Sequence, residues 1–169
     1  TLSSFAYLWG QFIDHDLDLT SDSTLPGQEA DVAVPNGDLY FDPTGTGIQT
    51  IGFVRSESVA GTGTSAANPL QQPNDITAFI DGSMIYGSDA ARAKALRTGV
   101  GGQMKTSDGN MLPFNTMGLT NDTEGGSDST YYAAGDVRAN ENIELTSMQT
   151  LFVREHNRLA AQIARQNPK

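Results

Sequence analysis

The sequence predicts a mainly α-helical domain with long loops and one small β-hairpin. Three observations carry that reading: a helical apolar period near the end, an apolar run at the start, and a long Gly-, Pro-, Ser- and Thr-rich stretch between them. Near the end, Leu145, Met148, Leu151, Phe152, His156, Leu159, Ala160 and Ile163 recur at the spacing of one helix face. That helix stops before Pro168. At the start, Phe5, Leu8, Trp9, Phe12 and Ile13 make a helix over residues 3–16 apolar on almost every side, which predicts burial all round.

Between these helices, residues 20–74 read as loops with short extended pieces, the best being residues 50–55. A connection this long usually wraps a larger body. Residues 75–86 alternate Ile76, Ala78 and Ile80 against Thr77, Phe79, Asp81 and Ser83, an extended pattern. A second helix spans residues 89–97, with Ser88 as N-cap and Gly99 as its stop. The hairpin is predicted from residues 103–106 and 110–114 around Ser107, Asp108 and Gly109.

The length of 169 residues suits one domain, although both ends read as cut from something longer. A net charge of −10 argues against nucleic acid as partner. No cluster of basic residues offers an electrostatic membrane anchor. No run of about 18 apolar residues is present to span a membrane. The chain has no cysteine, which excludes disulfides, thiolate metal sites and a cysteine nucleophile.

Gln11, Asp14, His15 and Asp16 are out of place on a buried helix, where each polar group needs a partner. Gln11 and His15 share a face and could line a pocket, with Asp14 at its edge. Asp16 points with Trp9 into apolar packing and needs a cation. The competing reading is a helix C-terminus with its acids in solvent. Thr77, Asp81 and Ser83, with backbone carbonyls, make a hard oxygen set suited to Ca2+, and Asp16 could supply the missing acid. The competing reading there is a polar strand edge. Arg138 and Glu141, three apart, suit either a surface ion pair or one turn facing a common site. Arg138 beside His15 would polarise a peroxide or other small oxyanion. His156 reads as a hydrogen-bonded core histidine.

Four segments in order carry a resemblance: Trp9-Gly-Gln-Phe-Ile-Asp-His-Asp16, Thr77-Ala-Phe-Ile-Asp-Gly-Ser83, Ala134-Gly-Asp-Val-Arg-Ala-Asn-Glu141, and Leu145 to Leu159 with its Arg154-Glu-His-Asn-Arg158 centre. Together the chain resembles the animal-type haem peroxidases, and the resemblance implies the distal, N-terminal part of that catalytic domain over residues 1–169. It implies haem b and Ca2+ as cofactors, with H2O2 and a halide, thiocyanate or phenolic donor as substrates. His15 is similar to the distal histidine, Arg138 to the distal arginine, and Gln11 to the distal glutamine. Asp14 and Glu141 match the acids that form ester links to haem, while Asp16, Thr77, Phe79 through its carbonyl, Asp81 and Ser83 match the calcium ligands.

The departures are also informative. Asn142 stands where myeloperoxidase has the methionine of a third haem link. The missing cysteines imply a bacterial-type member, and the resemblance implies export from the cell. The family's proximal histidine lies in a later helix. Beyond Arg138 this chain offers only His156, within a motif the family uses structurally, so the proximal ligand and the remainder of the domain are not in it. Two other readings stand beside this one: a fatty-acid dioxygenase or cyclooxygenase of the same superfamily, and a calcium-stabilised binding module without haem.

Overall fold

The computed structural model describes residues 3–122 and 128–168. The chain divides into two compact units, Thr1–Asp18 with Ile76–Lys169, and Leu19–Asp75. The first holds the helices: α1 (Ser4–Asp14), α2 (Ser83–Tyr86), α3 (Ala90–Ala95) and α4 (Ile143–Gln166). The second holds one antiparallel pair, β1 (Val32–Ala33) with β2 (Thr50–Ile51).

The core of the helical unit gathers Phe12, Met84, Ile85, Leu112, Leu145 and Met148. Phe12 is fully buried and stacks on Phe152 of α4, with ring centroids 5.0 Å apart. The sequence predicts α1 buried on every side, and the structure corrects this. Phe5 and Tyr7 are 55% and 74% exposed, because packing on α4 covers one face only. Leu151, Leu159 and Ile163 of α4 are likewise exposed, against the core positions their spacing predicts. Helix α1 also ends two residues early. Asp16 and Leu17 donate their N–H groups to the carbonyls of Ile13 and Asp14, three residues back. That tightened turn swings Asp16 off the helix and toward α2.

Helix α4 opens where the side chain of Asn142 accepts from the Leu145 N–H at 2.7 Å, a standard N-cap. Helix α3 is capped by Asp89, whose carboxylate accepts from the Ala91 and Arg92 N–H groups, and not by Ser88. Both residue types can cap, so local sequence alone does not choose between them. Residues 75–82 are bends instead of the extended run that alternation predicts. Gly82, at a φ of 80°, turns the chain directly into α2. At the predicted hairpin, a single bridge joins Ser107 to Met111 around a 3₁₀ turn, Asp108–Asn110. Its flanks part because Met104 pairs with Arg97, and Phe114 with Tyr132. His156 is held as a structural residue, between the Tyr86 hydroxyl at Nδ1 and the Gly102 carbonyl at Nε2.

In the second unit, isolated bridges Glu29–Val54 and Asp22–Ser56 continue the pairing that β2 starts, which agrees with an extended piece at residues 50–55. Its firmest point is Asp42, 1% exposed. The carboxylate accepts from the N–H groups of Gly37, Thr46 and Gly47 and from the Thr46 hydroxyl. These donors, led by the Gly47 N–H, hold its pKa down to about 2. A carboxyl depressed on folding stabilises the folded state above its unfolded value of about 3.9. That contribution is lost as pH falls from there through 2. The protection of residues 36–47 against hydrogen exchange, relative to an unstructured peptide at the same pH, is therefore expected to fall over this window in the wild type. Asp42→Asn is expected to exchange fast already at pH 6. Equal protection of the two proteins at pH 6 would show that the carboxylate does not hold the loop.

Candidate functional site

His15 follows the last turn of α1 and is 3% exposed. Burial, with the nearby Arg138 charge, pushes its pKa below the ordinary 6.5, so the ring is neutral near pH 7. Its Nδ1 is buried without a hydrogen-bond partner, 3.6 Å from an Asp136 oxygen. Its Nε2 lies 3.9 Å from a Glu141 oxygen. A neutral imidazole with an uncommitted ring nitrogen is a general base in waiting.

Arg138 comes to the same place from the loop before α4. Its Nε and Nη2 each donate to Asp136 at 2.9 Å, a two-pronged ion pair, and Nη2 also lies 3.5 Å from the His15 carbonyl. The surface pairing of Arg138 with Glu141 is not formed. Glu141 instead accepts from Gln11 Nε2 at 2.8 Å, and burial raises its pKa above the ordinary 4.5. Asn142, besides capping α4, donates to Gln11 Oε1 at 3.0 Å. The Gln11 amide is thus oriented at both ends, NH2 toward Glu141 and carbonyl toward Asn142. Asp14 is exposed, one helical turn beyond Gln11.

Asp16 is fully buried and faces the start of α2. It accepts from the Gly82 N–H at 2.9 Å, the Ser83 hydroxyl at 3.0 Å and the Met84 N–H at 3.1 Å. The Ser83 hydroxyl lies 3.2 Å from that of Thr77, and Asp81 accepts from the Ser83 N–H. These bonds hold the Asp81 carboxyl below its usual range, the Ser83 N–H first among them. The Phe79 carbonyl accepts from the Asp81 N–H at 2.9 Å. Thr77, Asp81, Ser83 and Asp16 are therefore brought together by a tight turn, and not by the alternation of a strand. Among the described residues, no three His, Cys, Asp or Glu side chains cluster as a metal site.

Sequence reasoning assigned no role to Asp136, Arg92 or Gly135, which frame the loop that carries Arg138. A buried arginine demands a nearby acid, and Asp136 two residues upstream is that signal. An apolar groove runs along the C-terminal half of α4, lined by Leu159, Ala160 and Ile163, and includes none of these polar groups.

A buried histidine thus lies beside a clamped arginine on a helical scaffold, with the carboxylates of Asp136 and Glu141 near them. The chain belongs to the animal haem peroxidase family, whose profile matches residues 1–169. It is 35% identical to the mouse peroxidasin homolog, over 95% of this chain and 13% of that protein. It is 32% identical to peroxinectin A of Dictyostelium discoideum, over 99% and 33% respectively. Among solved structures, peroxidase A from Dictyostelium discoideum superposes with a TM-score of 0.81 at 30% identity, covering 96% of this chain and 34% of that one. A fatty acid alpha-dioxygenase of Oryza sativa superposes at 0.69 and 25% identity, over 97% and 23%. The chain thus spans a third or less of the relatives it matches.

Proposed function

We propose that this chain is the distal part of a single haem peroxidase domain that uses H2O2 to oxidise halides, thiocyanate or organic donors. The observation that carries the reading is the buried His15, whose Nδ1 lies 3.6 Å from the same Asp136 carboxylate that grips Arg138. His15 Nε2 takes a proton from peroxide and returns it to the departing oxygen. Arg138 supplies fixed positive charge to that oxygen. Gln11, its amide oriented by Asn142 and Glu141, offers a hydrogen bond to water or a small anion. Haem, when bound, supplies the redox chemistry; the protein supplies charge, orientation and access.

The donor set fits such a group. Asp14 and Glu141 are exposed carboxylates near Gln11 and His15, and their exposure supports the reading in which both would meet a haem edge as ester partners. The Ser83 hydroxyl oxygen lies 3.0 Å from Asp16 Oδ1 and 3.2 Å from the Thr77 hydroxyl oxygen. That spacing suits neighbours in a Ca2+ shell with bonds of about 2.3–2.6 Å. Asp16 and Asp81 would balance the ion's charge, and the Phe79 carbonyl would complete the set. The exposed apolar residues of α1 and α4 support packing against the remainder of the domain, which would carry the proximal ligand. A bacterial-type member exported from the cell, as the family resemblance implies, is part of the same reading. No described helix is long and apolar enough to cross a membrane.

Haem extraction tests the reading against a dioxygenase or a haem-free module. Acid–acetone is expected to leave haem on the wild-type protein and to release it from Asp14→Ala/Glu141→Ala. Release from both proteins alike would remove the ester assignment, and a protein purified with the remainder of its domain yet without haem would favour the binding module.

A further inference from the structure

The loop from Ala134 to Arg138 is held from two sides. Arg92, itself 6% exposed, donates Nη1 to the Ala134 carbonyl at 2.7 Å and Nη2 to that of Thr120. Gly135 lies against the α2 backbone: a Cβ there would sit 2.4 Å from the Ile85 carbonyl carbon and 2.6 Å from the Met84 oxygen. Gln149 of α4 donates to that same Met84 oxygen at 2.9 Å, so the floor under Gly135 is fixed in turn. At the loop's centre, Asp136 is 4% exposed. Its Oδ1 accepts from the Arg138 N–H at 2.8 Å and from Nε at 2.9 Å, and its Oδ2 accepts from Nη2 at 2.9 Å. The same Oδ1 lies 3.6 Å from His15 Nδ1.

A guanidinium gripped through Nε and Nη2 has its plane set by the carboxylate. Its remaining nitrogen, Nη1, makes no hydrogen bond among the described residues. A plain structural ion pair accounts for charge balance, but not for one carboxylate meeting both Arg138 and His15 on a loop clamped so tightly. We propose that Asp136 is a positioning residue of the distal site: its two-pronged hold on Arg138, braced by Arg92 and by the seat of Gly135 on α2, leaves Nη1 as the nitrogen that meets a bound oxygen anion beside His15. The inference rests on the peroxidase reading above.

The test compares Asp136→Asn, Asp136→Glu, Arg138→Lys, Arg138→Ala and the double variant Asp136→Asn/Arg138→Ala in the haem-loaded protein that carries the complete domain. Two quantities are read per haem: the second-order rate with H2O2, and the Kd for cyanide as an anionic probe. Asp136→Asn and Arg138→Lys are each expected to slow the peroxide reaction and weaken cyanide binding by about 10–100-fold. The KM for the electron donor is expected to stay within about twofold, and Asp136→Glu to recover part of the loss. In the Arg138→Ala background, adding Asp136→Asn is expected to cost less than about threefold, because the acid acts through the arginine. Full additivity there, or a wild-type rate and cyanide Kd in Asp136→Asn, would overturn the proposal. Should Asp136→Asn not fold, Arg138→Lys decides: it keeps the acid but loses the fork, and unchanged values in it would equally overturn the proposal. A wild-type protein that binds haem yet does not react with H2O2 contradicts the peroxidase reading itself, a result distinct from either of these.

Discussion

Replacing His15 with Ala is expected to slow the reaction of the haem-loaded protein with H2O2 by about 10²–10⁴-fold, the usual worth of a positioned general acid–base. The ring is buried, and both burial and the Arg138 charge hold it neutral. Among the described residues neither ring nitrogen makes a hydrogen bond, although Asp136 and Glu141 stand 3.6 and 3.9 Å away. Its capacity to accept a proton is therefore not spent on packing. The large-to-small change also removes core volume, so haem content and Tm must be measured beside the rate. Stopped-flow mixing at equal haem loading separates the two effects. A loss below tenfold per haem would place the proton transfer on another group.

The second large effect is on stability. Asp16→Ala is expected to destabilise the helical unit by on the order of 3–5 kcal/mol, because three donors are stranded at about 1–3 kcal/mol each and such costs overlap. Those donors are the Gly82 and Met84 N–H groups and the Ser83 hydroxyl, and the residue they meet is fully buried. The carboxylate also sits at the N-terminus of α2, where negative charge is favourable. Asp18→Ala, two residues on and exposed, serves as the control and is expected to stay within about 0.5 kcal/mol. Urea titration with and without Ca2+ reads both variants. If calcium joins the site, the wild type gains stability from the ion and Asp16→Ala gains none. An Asp16→Ala midpoint equal to that of the Asp18→Ala control would show that Asp16 ties nothing together.

Much of the site was legible because helix periodicity fixes short-range neighbours. Gln11 and His15, four apart, do reach one region, whereas Asp16 leaves the helix in the turn after α1 instead of pointing in line with Trp9 as periodicity predicts. The partner of Asp16 was legible only as a need, since its donors lie 66 to 68 residues away along the chain. Alternation at residues 75–83 pointed to a strand, and it was overridden by Gly82 and by the carboxylate waiting for the N–H groups beyond it. Apolar composition marks what can be buried, not which neighbours are present to bury it. That is why Phe5, Tyr7 and Ile163 stand exposed here. Asp136 escaped notice for a different reason. An acid two residues before an arginine matches neither helix nor strand spacing, and it gains meaning only once the guanidinium is known to be buried.

The most direct test of the central claim is a crystal structure of the haem-loaded protein, read for which face of the iron His15 occupies. The account predicts Nε2 on the open face, unbonded to iron, with Arg138 beside it and the carboxyls of Asp14 and Glu141 at the haem rim. An iron–nitrogen bond to His15, or a haem bound away from the end of α1, would contradict it.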